Sequence, residues 1–331
     1  MKKIVQRTAA VVVGGLAILA AGGALALLRL PIASRLSPEP FERSPARLAR
    51  GRYLVNHVTP CLHCHSTGLD DRFAVPPKPG TEGQGGFVFG PEHGVPGRLA
   101  ASNITPDRKT GLGEWSDAEV LRAIRVGVDA SGRALFPMMP YPAFRELSDE
   151  DGAAIVVYLR TLPAIEHEVP ARRLDFPVNL LVRTLPKPAQ GPPRTPADEA
   201  DHLAYGGYLA TVAGCKTCHT PQDAHGNKIA GADFSGGWEL LGPWGRVVSS
   251  NLTPHADTFV GRATKEEFIG RFKAFAEMTP EAAPKVAPGR NTVMPWLGYA
   301  GMTERDLGAI YDFLRSRPAR ARAVVSFPDA R

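Results

Sequence analysis

Residues 60–66 read PCLHCHS, and residues 214–220 read GCKTCHT. Each stretch sets two cysteines three positions apart with a histidine directly after the second: Cys61, Cys64 and His65, then Cys215, Cys218 and His219. On a helix, positions i and i+3 share a face, so both thiols of a motif point the same way and the imidazole stands just beyond. A c-type haem needs this arrangement, because two thiols add to the two vinyl groups on one edge of the macrocycle while the adjacent imidazole binds iron.

Three other readings use parts of the pattern. A Cys-x-x-Cys redox pair expects a thioredoxin-like βαβ context and has no use for the histidine. A zinc site is completed by a second ligand pair a dozen or so residues on, whereas the motifs here lie 154 residues apart. A disulfide explains neither histidine. All four cysteines of the chain fall inside the two motifs, and the reading is two covalently attached haem c groups.

The second motif belongs to a longer repeat. GRYLVNHVTPCLHCH (51–65) matches GGYLATVAGCKTCH (206–219), GGFVFGPEHG (85–94) matches GGWELLGPWG (236–245), and SNITP (102–106) matches SNLTP (250–254). SDAEVLRAI (116–124) matches TKEEFIGRF (264–272), and LSDEDGAAIVVYLR (147–160) matches MTERDLGAIYDFLR (302–315). The offset stays between 148 and 155 throughout, so the 331 residues hold two copies of one domain, read as residues 43–162 and 201–320. Each copy predicts three short helices. The first carries the motif. The second opens on a capping box, Ser116 with Glu119 or Thr264 with Glu267. The third opens at Ser148 or Thr303 and buries Ile155, Tyr158 and Leu159, or Ile310, Phe313 and Leu314, at helical spacing. The fold class is mainly α. Residues 163–200 between the copies hold eight of the 31 prolines and read as a linker, with the alternation of Leu174, Phe176, Val178 and Leu180 predicting an extended stretch against a domain.

Opposite the histidine, a carrier haem takes methionine, whose thioether favours reduced iron. The repeat selects the candidates. Met139-Pro140 and Met294-Pro295 align at offset 155, and lie 78 and 79 residues beyond the first cysteine of their motifs. Met138 and Met302 align with valine and leucine and read as packing, and Met278 has no counterpart. His57, His63, His93, His167, His202, His225 and His255 read as loop or surface residues, with His93 and His255 able to replace a methionine. No residue reads as catalytic.

The N-terminus carries MKKIVQR and then an uncharged run from Thr8 to Leu28. A helix of 21 residues spans about 30 Å, the thickness of a bilayer core. Lys2, Lys3 and Arg7 keep its start cytoplasmic and send the remainder across. Residues 1–30 therefore read as a membrane anchor, the alternative being a signal peptide cleaved near Ala24-Leu25-Ala26. Residues 1–50 hold eight of the 39 basic and two of the 33 acidic residues, leaving 31 of each sign elsewhere. The net +6 is thus a property of the N-terminus, and the chain lacks the basic, aromatic-laced stripe of a nucleic-acid binder.

The stretch from SNITPDRKTGLGEWSD through FPMMPYPAFRELSDEDGAAIVVYLRTLP resembles the cytochrome c domain repeated in membrane-bound subunits of bacterial alcohol, aldehyde and gluconate dehydrogenase complexes. The resemblance covers about residues 45–320 and implies two tandem cytochrome c-like domains behind an N-terminal transmembrane helix. It implies covalent attachment at Cys61, Cys64, Cys215 and Cys218, with His65 and Met139, and His219 and Met294, as axial ligands. Those subunits usually carry three haems, and this chain has motifs for two. The implied function is electron transfer in a periplasmic respiratory chain at the bacterial inner membrane. A dehydrogenase subunit would be the donor, and a quinone, an oxidase or another cytochrome the acceptor. The alternative is a dihaem oxidoreductase, of peroxidase or thiosulfate dehydrogenase type, with one open haem site.

Overall fold

Ser44 starts the first helix, α1 (Pro45–Tyr53): its hydroxyl accepts from the Arg47 N–H at 3.3 Å and a proline occupies the first turn, where a missing N–H costs nothing. The structure, a computed structural model, describes residues 39–187, 198–223, 226–242, 245–287 and 289–328, with the single glycines 15, 22 and 23. The expected membrane segment at 1–30, the middle of the linker and His225 lie outside the described residues. Among the described residues, no helix is long and apolar enough to cross a membrane.

From α1 the chain passes through a π-helical turn, Leu54–Val58, into α2 (Cys61–Cys64). An antiparallel hairpin follows, β1 (Val88–Phe89) with β2 (Gly97–Ala100), then α3 (Asp117–Val126), α4 (Tyr141–Phe144) and α5 (Asp149–Leu159). Strand β3 (Arg173–Leu174) pairs with β2, Gly97 opposite Leu174, and α6 (Val178–Leu181) comes after it. The second half repeats the order: α7 (His202–Val212), α8 (Cys215–Cys218), the hairpin β4 (Glu239–Gly242) and β5 (Gly245–Val248), α9 (Phe259–Arg262), α10 (Lys265–Lys273), α11 (Trp296–Tyr299) and α12 (Glu304–Arg315).

The architecture is mainly α, as expected, with two additions. Each half contains a small hairpin, which strands of two to four residues are too short to announce by alternation. Each half also has a single-turn helix directly after its Met-Pro, α4 and α11. The linker departs from expectation as well. Among the linker's described residues only Arg173–Leu174 form a strand, the chain then turns helical at Val178, and Phe176 is 80% exposed.

The capping boxes form as read. Ser116 Oγ accepts from the Glu119 N–H at 3.3 Å, and Glu119 accepts from the Ser116 N–H at 2.8 Å. Thr264 and Glu267 do the same at 3.2 and 2.8 Å. Glycine sets the crossing of the first and last helices in each half. A Cβ on Gly51 would lie 1.9 Å from the Ala154 carbonyl oxygen, and one on Gly206 1.9 Å from that of Ala309. Only a residue without a side chain permits this approach of α1 to α5 and of α7 to α12. One hydrophobic core runs through both halves, from Leu54, Ile155 and Val156 to Leu209, Leu307 and Leu314.

Candidate haem sites

The two motifs fold alike. Each pair of cysteines spans one helical turn, and the histidine that follows donates its backbone N–H to the carbonyl of the first cysteine, His65 to Cys61 at 2.9 Å and His219 to Cys215 at 2.8 Å. All four thiols are free. Among the described residues no group of three or more His, Cys, Asp or Glu gathers as a zinc site requires.

Both imidazoles are oriented by a backbone carbonyl. Nδ1 of His65 lies 2.7 Å from the Ser102 oxygen, and Nδ1 of His219 lies 2.7 Å from the Ser250 oxygen. A carbonyl only accepts, so Nδ1 carries the proton and Nε2 presents its lone pair. Desolvation lowers the pKa of both histidines against the opposing pull of those hydrogen bonds, which keeps the rings neutral, as a metal ligand requires. The carbonyl of each histidine is held in turn by a glycine, Gly85 at 2.9 Å and Gly236 at 2.8 Å.

The serines sit at the start of the repeated Ser-Asn-Ile/Leu-Thr-Pro, and the asparagine fixes that segment. Asn103 Oδ1 accepts from the Thr105 N–H at 2.9 Å while Nδ2 donates to the Ile165 carbonyl at 2.8 Å. Asn251 matches it with Thr253 at 2.9 Å and Arg320 at 2.9 Å. The repeat marks these residues as equivalent without revealing their task, since the working atom in each serine is a main-chain oxygen.

In the second half a cavity of about 1050 Å³ is lined by Cys215, Cys218 and His219 together with Met294, and its other walls include Phe268, Leu252 and Ile310. That volume lies just above the roughly 300–1,000 Å³ usual for cofactor pockets. Size, paired thiols, a neutral imidazole with a free lone pair and a thioether on the same lining all fit a covalently held haem. In the first half Cys61 and Met139 are half-buried, and both pack against the core.

Met302 also lines the second cavity, but it is 1% exposed and packed in the core at the mouth of α12. Of the other histidines, His255 lines that cavity, and its Nδ1 accepts from the Asp257 N–H at 3.3 Å. His57 meets the Gly298 carbonyl across the repeat at 3.0 Å. Desolvation pushes His63 down to about 4. His93 is not a surface residue: its side chain is only 7% exposed, and Nδ1 accepts from the Gly90 N–H at 3.1 Å.

No family model matches the chain. Among curated proteins it is 26% identical over 317 residues to the fructose dehydrogenase cytochrome subunit of Gluconobacter japonicus, covering 91% of this chain and 60% of that one. It is 31% identical over 321 residues to a nicotinate dehydrogenase subunit of Pseudomonas putida, covering 92% of this chain and 25% of that one. It is 27% identical over 248 residues to a diheme c-type cytochrome of Cereibacter sphaeroides, covering 72% of this chain and 78% of that one. The chain thus spans less than two thirds of the length of the first two. The relatives named as cytochromes are cytochrome subunits of fructose, alcohol and gluconate dehydrogenases and a diheme cytochrome c, as the motif resemblance implied.

Proposed function

We propose that this relative of dehydrogenase cytochrome c subunits is a membrane-tethered dihaem electron carrier. It would hold one haem c at Cys61, Cys64 and His65 and the other at Cys215, Cys218 and His219. The observation that carries the reading is the lining of the second cavity, where His219 and Met294 both stand. His219 and Met294 would both be available to hold the haem iron, which would leave no position for a substrate. When bound, the haem supplies a one-electron couple. The chain's own residues do the rest. The Ser102 and Ser250 carbonyls orient the imidazoles, the apolar walls exclude water, and Met139 and Met294 favour the reduced state. Arg271 and Arg322 line the second cavity and would supply positive charge to the carboxylates of a bound haem.

A dehydrogenase as donor is supported by the names of the relatives, which are subunits of fructose, nicotinate, alcohol and gluconate dehydrogenases. The acceptor would be a quinone, an oxidase or another cytochrome, and the qualifier "quinone" in the alcohol dehydrogenase relatives favours the first. Residues 1–30 would anchor the chain in the bacterial inner membrane with both haem domains in the periplasm, which rests on Lys2, Lys3 and Arg7 ahead of the apolar run.

Two haems per chain should survive denaturation and acid–acetone extraction, and the reduced protein should bind carbon monoxide poorly. Rapid carbon monoxide binding at one haem of the native protein, with turnover of peroxide or thiosulfate, would make it an enzyme with an open site instead.

A further inference from the structure

The two halves are not equivalent at the methionine side, and the difference traces to two indels. Between the motif and the glycine pair, the repeat offset falls from 154 to 151, so the first half has three extra residues there. Between the capping-box helix and the Met-Pro, the offset rises from 148 to 155, so the second half has seven extra residues there. These two unmatched segments dock on each other.

Asn291 is the centre of the joint. It is 1% exposed, and its carboxamide is fully used. Oδ1 accepts from the Ala74 N–H at 3.0 Å and from the Thr292 N–H at 2.8 Å, and Nδ2 donates to the Asp70 carbonyl at 3.2 Å and the Arg72 carbonyl at 2.7 Å. The Phe73 N–H donates to the Pro284 carbonyl at 2.8 Å, and the Val286 N–H to the Asp71 carbonyl at 2.9 Å. Just beyond, Ala74 and Val75 adopt left-handed backbone, φ 64° and 46°. A β-branched residue there is a true outlier and persists only where its surroundings hold it.

Two links run from this joint to the second site. The Thr292 hydroxyl accepts from the Met294 N–H at 3.1 Å. Phe73, a residue of the first half, lines the second cavity and stacks on Phe275 with ring centroids 5.3 Å apart. The segment before Met139 is held differently: the Leu135 N–H donates to the Gly127 carbonyl at 2.7 Å, and Arg172 of the linker donates to the Ala134 carbonyl.

We propose that Asn291, with the loop 70–75 of the first half, is a positioning device for Met294, so that axial ligation of the second haem, and not of the first, is completed across the repeat. This rests on the His/Met reading of both sites. Asn291 stands outside the cavity lining, which Thr292, Val293 and Met294 join. It sets where the Met294 backbone stands, and Phe73 keeps water from that side. A thioether is a weak ligand, so small displacements of its segment decide whether it stays bound.

The test uses the full, haem-loaded chain, with Asn291→Ala, Phe73→Leu and the wild type compared for covalent haem content, the sulfur-to-iron charge-transfer band of oxidised His/Met haem, and carbon monoxide binding when reduced. The expected result for Asn291→Ala is two haems retained, about half of the band lost, and one haem open to carbon monoxide. Adding Met139→Leu should remove the remaining band, and adding Met294→Leu should change nothing further. Phe73→Leu should weaken the same half of the band. If Asn291→Ala loses haem altogether, Phe73→Leu decides alone. A full band in both variants overturns the proposal, as does equal loss at both sites, which would make the joint merely structural. A wild type without the band would sink the ligation reading itself.

Discussion

The Tyr53 hydroxyl donates to Asp306 Oδ2 at 2.5 Å and also accepts from the Thr303 N–H at 3.1 Å. Its repeat counterpart does the same in reverse. The Tyr208 hydroxyl donates to Asp151 Oδ2 at 2.6 Å and stands 3.4 Å from the Ser148 N–H. Each half therefore lends a tyrosine from its first helix to the N-terminus of the other half's last helix, the self-complementary pattern of an isologous interface. Asp151 and Asp306 are buried carboxylates, and such groups need partners. Arg50 adds a two-pronged pair to Asp151 at 2.8 and 2.9 Å.

Tyr53→Phe and Tyr208→Phe should each destabilise the protein by about 1.5–3 kcal/mol, the range for hydrogen bonds to charged groups. Denaturant midpoints at neutral pH check this. An unchanged midpoint in the double variant would mean that the two halves do not rely on these contacts.

The same tyrosines give the protein an alkaline limit. Burial first, then the carboxylate partner, raises both phenols above their ordinary value. A raised folded-state pKa means that stability is fully present below the ordinary value of about 10 and drains away as the pH climbs through the raised one. Stability measured from pH 8 upward should fall above about pH 10 in the wild type and fall less steeply in the Tyr53→Phe/Tyr208→Phe variant.

Gly51→Ala and Gly206→Ala should each cost about 1–3 kcal/mol or more, the penalty for overpacking, because the added methyl meets a carbonyl of the crossing helix. The loss should appear as lower thermal stability and as poorer haem loading of the half concerned. A neutral Gly206→Ala would show that α7 and α12 can separate freely.

Met139→Leu and Met294→Leu should each remove about half of the charge-transfer band and lower one reduction potential, since the thioether stabilises reduced iron. Redox titration resolves the two. If Met302→Leu had this effect, the core residue at the mouth of α12 would be the ligand.

The intact chain should require detergent for extraction. A version beginning at Arg43 behind a foreign signal peptide should be soluble and keep both haems. A mature N-terminus mapped near Leu27 would favour cleavage over anchoring.

Much of this was open to a reading of the residues. Cys-x-x-Cys-His works within one helical turn, so its chemistry is fixed by local spacing, and the capping boxes at Ser116 and Thr264 are local in the same way. The repeat then turned a choice among five methionines into a comparison of two distances. Other features needed the tertiary structure, and each for a physical reason. The group that orients His65 is the Ser102 main-chain oxygen, which every residue type possesses. The hairpins are too short for a period to show. Tyr53 meets Asp306 across 253 positions, and Asn291 meets Arg72 across 219. Such partners are chosen by how two folded halves pack, and neither periodicity nor motif spacing carries that information.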